Sequence, residues 1–157
     1  MDITIQHVVV PVDFGPLSAK VLDFAEAIAC GPQAKVHLVH VLEQPFMTAG
    51  PYEFLLPDTP AQRERMYAQA RARLCGMAES LRRKNLTATT EVRTGEVTDE
   101  IVGAAIDYGA DCIVMGQREH GGLHHLLGGA IGEHVSRRVA CPVLTIRDHG
   151  GAKMAAA

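Results

Sequence analysis

The chain has no tryptophan, few other aromatic residues, no paired-cysteine motif and no long apolar run. Aromatic residues account for 4% of its 157 residues. No apolar run approaches the ~20 residues that a membrane-spanning helix needs, which argues against a membrane protein. A chain of this length is expected to form one domain with a sizeable core. Its apolar fraction of 47% suits an α/β protein.

Cysteine is sparse and scattered. The four cysteines, Cys30, Cys75, Cys112 and Cys141, form no CxxC pair and no dense framework. This pattern is typical of buried, unpaired thiols in a reducing compartment, with a redox role as the alternative. The first residues lack the basic segment and cleavage site of a signal peptide, so we expect a cytoplasmic protein.

An excess of positive charge is also missing. The chain carries 15 Lys and Arg against 18 Asp and Glu, which gives a net charge of -3. Nucleic-acid binders usually carry a basic surface, so this balance argues against such a partner. Basic residues do cluster between residues 61 and 85, but Glu64 and Glu79 interrupt them. We expect a solvated helix face there, with a nucleic-acid surface as the alternative.

What the chain does have is a regular alternation of strand-like and helix-like segments. The run HVVVPV at residues 7–12 is continuously apolar, as in a central parallel strand buried on both faces. Gly15-Pro16 resembles the start of a helix, and Thr98 resembles the cap of another. The pattern predicts strands at 7–12, 35–42, 87–93, 111–115 and 142–146, and helices at 15–30, 61–85, 98–108 and 129–140.

This order predicts an α/β fold, a doubly wound five-stranded parallel sheet of the Rossmann-like type with helices on both faces. Residues 1–147 form the predicted domain, and residues 148–157 a flexible C-terminal tail. Ligands of such sheets bind beyond the carboxyl ends of the strands, where the strand order reverses. Periodicity does not give the order, but if strands one and four are neighbours, Asp13 and Gly116 face each other.

The segment from Glu43 to Pro60 is long for a connection in a compact domain. It contains four prolines and a Gly-Pro step, which disfavour regular structure. We predict that it is the most mobile internal segment, and a lid, a partner surface or a mobile excursion are the three roles that fit it.

A glycine-rich loop follows the fourth strand. Residues 113–116 read as a buried strand that stops at Gly116, and the loop then leads into a helix beginning near Gly129. Main-chain amides of such a loop, together with the helix dipole, favour an anion. The sequence therefore predicts an anion site here.

Four short motifs resemble those of the universal stress protein family, in the family's order and spacing. They are VVVPVDF at residues 8–14, HVLE at 40–43, GADCIVMG at 109–116 and CPVL at 141–144. The resemblance covers residues 7–147. It implies the strand order 3-2-1-4-5, a homodimer, and a stress-response module that binds adenine nucleotide, ATP or AMP, with Mg²⁺ if the nucleotide is ATP.

Many members of that family bind ATP through the pattern G-x2-G-x9-G-[S/T]. Carried over by position, Gly116 and Gly129 match, whereas Glu119 stands at the second glycine and Ala130 at the hydroxyl residue. The resemblance further implies that Asp13 bonds adenine or ribose and that Pro11, Val12 and Val41 form apolar walls. The full expected nucleotide site is Pro11, Val12, Asp13, Val41, Met115, Gly116, Arg118, Gly129, Ala130 and Ile131.

The two departures weaken the expected phosphate contacts. Glu119 adds a charge that repels phosphate by roughly 1 to 4 kcal/mol at ~4 Å. Ala130 lacks a hydroxyl donor, which forfeits about 0.5 to 1.5 kcal/mol. Arg118 offsets part of this loss, and Glu119 could instead reach a divalent metal. The alternative is a nucleotide-free interaction protein of the same family.

Other chemistry has less support from the residues. Asp13 could be a metal-binding or catalytic carboxylate, or a cap of the following helix, and a slow ATPase or phosphotransferase using Asp13 is the distant alternative. His120, His124 and His125 are read as solvated loop histidines rather than metal ligands. No nucleophile elbow or P-loop lysine occurs, so we expect no enzyme, no catalytic residue and no metal site.

The last predicted strand suggests the dimer interface. Val143–Ile146 is short and apolar, and an unpaired apolar edge strand is a template for association. The resemblance implies that this strand pairs with its two-fold mate, and such pairing closes without forming fibres.

Overall fold

The computed structural model of the chain describes residues 4–43, 59–117 and 131–147. Strands and helices alternate through these ranges, as the sequence predicts. The strands are β1 (His7–Pro11), β2 (Lys35–Glu43), β3 (Thr87–Gly95), β4 (Cys112–Gln117) and β5 (Val143–Arg147). The helices are α1 (Ser18–Ile28), α2 (Pro60–Arg82), α3 (Val97–Asp107) and α4 (Ile131–Ser136).

The five strands form one parallel sheet in the order β3-β2-β1-β4-β5. This order confirms the arrangement implied by the family resemblance. Val9 at the centre of β1 lies opposite His37 on one side and Ile113 on the other. The reversal of strand order therefore falls between β1 and β4, where a doubly wound sheet places its ligand crevice.

The sheet has a helical layer on each face because its central strands alternate between two apolar cores. Val8 and Val10 of β1 pack with α1 and α2 in one core. Val9 packs with α3 and α4 in the other. All three valines are at most 1% exposed, so the continuous apolar run of β1 reflects burial on both faces.

Several predicted boundaries differ from the observed ones, among them the starts of the first and third helices. The first helix begins at Ser18 and ends at Ile28, and Gly15-Pro16 belongs to the turn before it. The third helix is capped by Glu96, whose carboxylate accepts a hydrogen bond from the Asp99 amide at 2.8 Å, whereas Thr98 lies buried in the first turn. A carboxylate at a helix N-terminus satisfies amides and dipole together.

Strand β4 is also longer than predicted. It continues past Gly116 to Gln117, which is paired with Arg147 of β5. The fourth helix was predicted to begin at Gly129; its described part begins at Ile131, and residues 118–130 lie outside the described ranges.

Helix α2 extends beyond the sheet. Thr59 caps it in a reciprocal capping box with Gln62, and the helix begins at Pro60. Its first buried residue is Ala70. Met66 continues the three-to-four-residue spacing of Ala70 and Leu74, from which the sequence predicts burial, but it is 51% exposed. Periodicity gives the apolar stripe of a helix but not how far along the helix that stripe is buried.

The predicted loop at 43–60 is shorter at both ends, because Glu43 belongs to β2 and Pro60 to α2. Residues 44–58 lie outside the described ranges, so its mobility stays a prediction. The same holds for the tail, 148–157.

The cysteines divide into two groups. All four are free thiols; Cys30 and Cys75 are exposed, contrary to expectation, while Cys112 is buried and Cys141 partly so. Burial raises the pKa of both inner thiols.

No helix within the described residues combines the length and apolarity needed to cross a bilayer.

Candidate functional site

The candidate site lies where the carboxyl ends of β1 and β4 meet. Val8 and Val9 of β1 pair with Cys112 and Ile113 of β4. Because the two strands are parallel, Asp13 and Gly116 both follow this pairing towards the same edge of the sheet. The two chain segments that the sequence analysis singled out are therefore neighbours at the reversal of strand order.

Asp13 shapes the turn that follows β1. Its Oδ1 accepts a hydrogen bond from the amide of Gly15 at 2.8 Å, and its side chain is exposed. Phe14, between them, has a φ of 57°, a left-handed conformation that is costly for a bulky residue and that functional turns often contain. The interpretation of Asp13 as a cap of the helix is wrong, because the N-cap of α1 is Leu17.

Val12 is buried and both of its main-chain groups are bonded. Its amide donates to the carbonyl oxygen of Val39 at 2.7 Å, and its carbonyl accepts from Nδ1 of His40 at 2.6 Å. Because a carbonyl oxygen only accepts, the bond assigns the proton to Nδ1 of His40. Strand β2 thus fixes the main chain immediately before Asp13.

The role of His40 is not evident from the sequence pattern. The pattern places this residue in the second strand, within the HVLE motif, but does not indicate which residue its side chain contacts. The His40 ring lies 4.4 Å from that of Phe14, and the Arg73 guanidinium lies 4.1 Å from the same Phe14 ring. Phe14 therefore contacts both His40 and Arg73, and its ring is tilted by 36° against the ring of His40.

Three apolar residues of the predicted site pack on the α3–α4 side of the sheet, whereas Val12 belongs to the core on the α1–α2 side. Val41 of β2 and Ile131 of α4 are partly buried and pack on the core that contains Met115. Met115 itself is 5% exposed. Pro11, the last residue of β1, is partly buried. These side chains can form one wall of a pocket for a flat, weakly polar group such as a purine base.

Gly116 allows close packing at the end of β4. A Cβ at this position would stand 3.3 Å from Cβ of Leu17 and 3.5 Å from Cγ2 of Val21. The glycine therefore lets the start of α1 approach the end of β4. Gln117, next along the strand, accepts a hydrogen bond at its Oε1 from Nε of Arg147 at 3.0 Å, which ties the strand end to β5.

Of the predicted site residues, those of β1, β2 and β4 stand at or just beyond the carboxyl ends of these three strands, and Ile131 begins the described part of α4. The first group is Pro11, Val12, Asp13, Val41, Met115 and Gly116. Arg118, Gly129 and Ala130 lie outside the described ranges, as do Glu119 and the histidines at 120, 124 and 125. In the described part of the chain, no group of three or more His, Cys, Asp or Glu side chains is arranged to hold a metal ion.

Comparison with known proteins gives a consistent result. The universal stress protein family model matches residues 4–147. The universal stress protein YxiE of Bacillus subtilis is 29% identical over 142 residues, covering 88% of this chain and 96% of that protein.

Two solved structures share the fold at lower identity. A universal stress protein in complex with cAMP superposes with a TM-score of 0.67 at 21% identity, covering 92% of this chain and 98% of its own. The universal stress protein of Archaeoglobus fulgidus in complex with dAMP superposes with a TM-score of 0.60 at 22% identity, covering 92% and 99%.

Proposed function

This chain belongs to the universal stress protein family, and from that premise we propose that it is a cytoplasmic, dimeric stress-response module that binds an adenine nucleotide. The nucleotide would lie across the carboxyl ends of β1 and β4. The observation that supports this proposal is that Asp13, an exposed carboxylate, follows the carboxyl end of β1, the strand that neighbours β4 in the sheet.

Asp13 suits the nucleoside end of such a ligand. Ribose hydroxyls and the exocyclic amine of adenine are hydrogen-bond donors, and an ionised carboxylate is an acceptor. The Gly15 amide orients this carboxylate, and the His40–Val12 bond fixes the main chain before it. A preorganised acceptor loses less conformational freedom on binding than a mobile one.

The ligands of two structural relatives support binding through the nucleoside end. One holds cAMP and the other dAMP, and what these ligands share is adenine, a ribose-type sugar and a single phosphate. In our chain, Glu119 and Ala130 replace the residues expected near the distal phosphates. We therefore propose that the nucleoside provides most of the binding energy and that ATP gains little over AMP.

We propose binding and regulation rather than turnover. The Oδ1 atom of Asp13 is engaged by its own turn, which supports a structural and recognition role over that of a nucleophile. Sustained metal-dependent hydrolysis of ATP that Asp13→Asn abolishes would contradict this part of the proposal.

The proposed dimer interface lies along β5. This strand is at the edge of the sheet, and Leu144 at its centre is 37% exposed. A second copy pairing along this edge would cover the leucine and continue the sheet across the two-fold axis.

Calorimetric titration with AMP and with ATP tests the nucleotide site. Asp13→Ala should weaken both nucleotides alike, by about 10-fold or more, since a bond to a charged acceptor contributes about 1.5 to 3 kcal/mol. Asp23→Ala is the matched control, because Asp23 is also an exposed aspartate but lies on α1. Circular dichroism would verify that each variant is folded. Equal affinity of wild type and Asp13→Ala would contradict the proposed role of Asp13.

A further inference from the structure

An open groove lies between α1 and α2, beside the turn that follows β1. Its volume is about 450 Å³, which is within the range of small-molecule sites. The residues that matter to its chemistry are Phe14, Ser18 and Leu22 on one side and Arg73, Gly76 and Met77 on the other.

Gly76 keeps this groove open at a cost to α2. It stands in the interior of the helix, where glycine is less favourable than alanine. A Cβ added at Gly76 would meet no atom within 4 Å, and its φ is not positive. Neither packing within the described residues nor backbone conformation explains this glycine. Its effect is to leave space in the groove.

Ser18 presents a hydroxyl that is not satisfied. Its Oγ is buried, and no hydrogen-bond partner lies within reach among the described residues. Buried polar groups in native proteins nearly always have partners, so an exception calls for an explanation. A rotation about its χ1 would direct this hydroxyl to a ligand in the groove, which it lines.

Arg73 brings positive charge to the same end of the groove. Its guanidinium lies 4.1 Å from the centroid of the Phe14 ring, and no carboxylate of the described residues forms an ion pair with it. The left-handed turn and the tilted ring contact with His40 position the Phe14 ring next to Arg73. The guanidinium is thus positioned by an aromatic face, and its charge is available to an anion.

The groove carries positive charge at one end, at Arg73, and is mainly apolar towards the other end, where Ser80 also lines it. Both helices follow parallel strands and pack on the same face of the sheet, so they run in the same direction. Leu22 lies one turn beyond Ser18, and Met77 one turn beyond Arg73. A ligand with an anionic head between Arg73 and Ser18 would therefore place an apolar body along Leu22 and Met77.

We propose that this groove is a binding site for a small carboxylate with an apolar body, such as a medium-chain fatty acid. Charge complementarity with Arg73 selects an anion over a cation, and the hydroxyl of Ser18 donates to the second carboxylate oxygen. None of the residues that form the groove belongs to the expected nucleotide set, although Phe14 stands next to Asp13 in the turn that follows β1.

Titration of the full chain with octanoate, followed by amide NMR, tests this proposal. Octanoate should bind with millimolar or tighter affinity and shift the amides of Ser18, Leu22, Gly76 and Met77. Octylammonium, with the same chain and the opposite charge, should bind at least about 10-fold more weakly. Acetate, the head group alone, should leave these amides unchanged.

Two variants at Gly76 separate the groove from the fold. Gly76→Leu fills the groove without meeting a neighbour at its Cβ and should lower octanoate affinity at least about 10-fold. Gly76→Ala is the control and should bind within about 2-fold of wild type. Arg73→Gln should lower the affinity for octanoate and should not lower the affinity for octylammonium.

The proposal is overturned if octanoate shifts no groove amide, if Gly76→Leu binds it as wild type does, or if octylammonium binds equally well. It is also overturned if Gly76→Leu or Arg73→Gln changes the oligomeric state by light scattering, since the groove would then be an interface between copies of the chain.

Discussion

His40 donates a hydrogen bond from Nδ1 to the main-chain carbonyl oxygen of Val12, 2.6 Å away. This bond joins β2 to the residue before Asp13, and the ring that makes it lies 4.4 Å from the Phe14 ring. The turn that carries Asp13 is thus supported from the neighbouring strand on both sides of the carboxylate.

Replacing His40 by leucine should destabilise the fold. The substitution leaves the carbonyl of buried Val12 without its donor, at a cost of about 1 to 3 kcal/mol in the free energy of unfolding. His40→Asn is the matched control, because the Asn amide nitrogen can occupy the place of Nδ1 and restore the bond. Urea denaturation of both variants measures the difference. Equal losses would show that the ring contact with Phe14, rather than the bond, stabilises the turn.

The buried position of His37 leads us to expect that the stability of the fold depends on pH. It is 4% exposed; its Nδ1 lies 2.5 Å from Oγ1 of Thr89, its Nε2 lies 3.4 Å from Oε2 of Glu91, and its ring stacks on Tyr108. Burial lowers the pKa of His37 below its ordinary 6.5, opposed by the bond and attraction to Glu91 and assisted by nearby Arg93. The unfolded chain therefore takes up this proton first as the pH falls.

Consequently, the contribution of His37 to stability is fully present above about pH 6.5 and is lost as the pH falls below it towards the lowered pKa. The slope it adds is at most about 1.4 kcal/mol per pH unit. His37→Gln should flatten the stability profile between about pH 7 and pH 5, whereas His134→Gln, at an exposed position, should not. An unchanged profile in His37→Gln would contradict this assignment.

A substitution at Leu144 tests the proposed dimer interface. A charge at the centre of β5 should disfavour pairing of that edge with a second copy, so Leu144→Glu should be monomeric by light scattering at micromolar concentration. Ile106→Glu is the control, since Ile106 is an apolar residue of α3 that is 70% exposed, more than Leu144. A monomeric wild type, or a dimer that survives Leu144→Glu, would contradict an interface along β5.

The phosphate loop should be repairable. Glu119→Gly removes like-charge repulsion and Ala130→Ser adds a hydroxyl donor, so the double variant should bind ATP about 10-fold more tightly or better. Its affinity for AMP should change less, since both substitutions act near the distal phosphates. Calorimetry with both nucleotides measures this. Tight binding of ATP by wild type that the two substitutions do not improve would show that Glu119 points away from phosphate or serves a metal.

The sheet could be predicted from the sequence because the burial of a strand determines which of its positions are apolar. Val8, Val9 and Val10 can be continuously apolar only if both faces of β1 are covered, and the structure covers both. The start of α1 was harder to predict, because Gly15-Pro16 satisfies the local rules for a helix start. The left-handed Phe14 and the Asp13–Gly15 bond extend the turn instead.

The contacts that shape the site were not predictable from local patterns. The bond from His40 to Val12 joins residues 28 apart in the chain, and its existence depends on the register between β1 and β2. The contact of Arg73 with Phe14 likewise depends on how α2 lies over the sheet. Periodicity places each residue on a face of its own element, but it does not say which side chain of another element meets it.

Titration of the full-length protein with AMP, followed by amide NMR, tests the central claim most directly. AMP contains the nucleoside and one phosphate, so the departures at the distal phosphate positions do not affect the result. We predict saturable shifts at Asp13, Val41 and Gly116, and their loss in Asp13→Ala. If millimolar AMP shifts none of these amides, or shifts them equally in Asp13→Ala, the proposed nucleotide site is wrong.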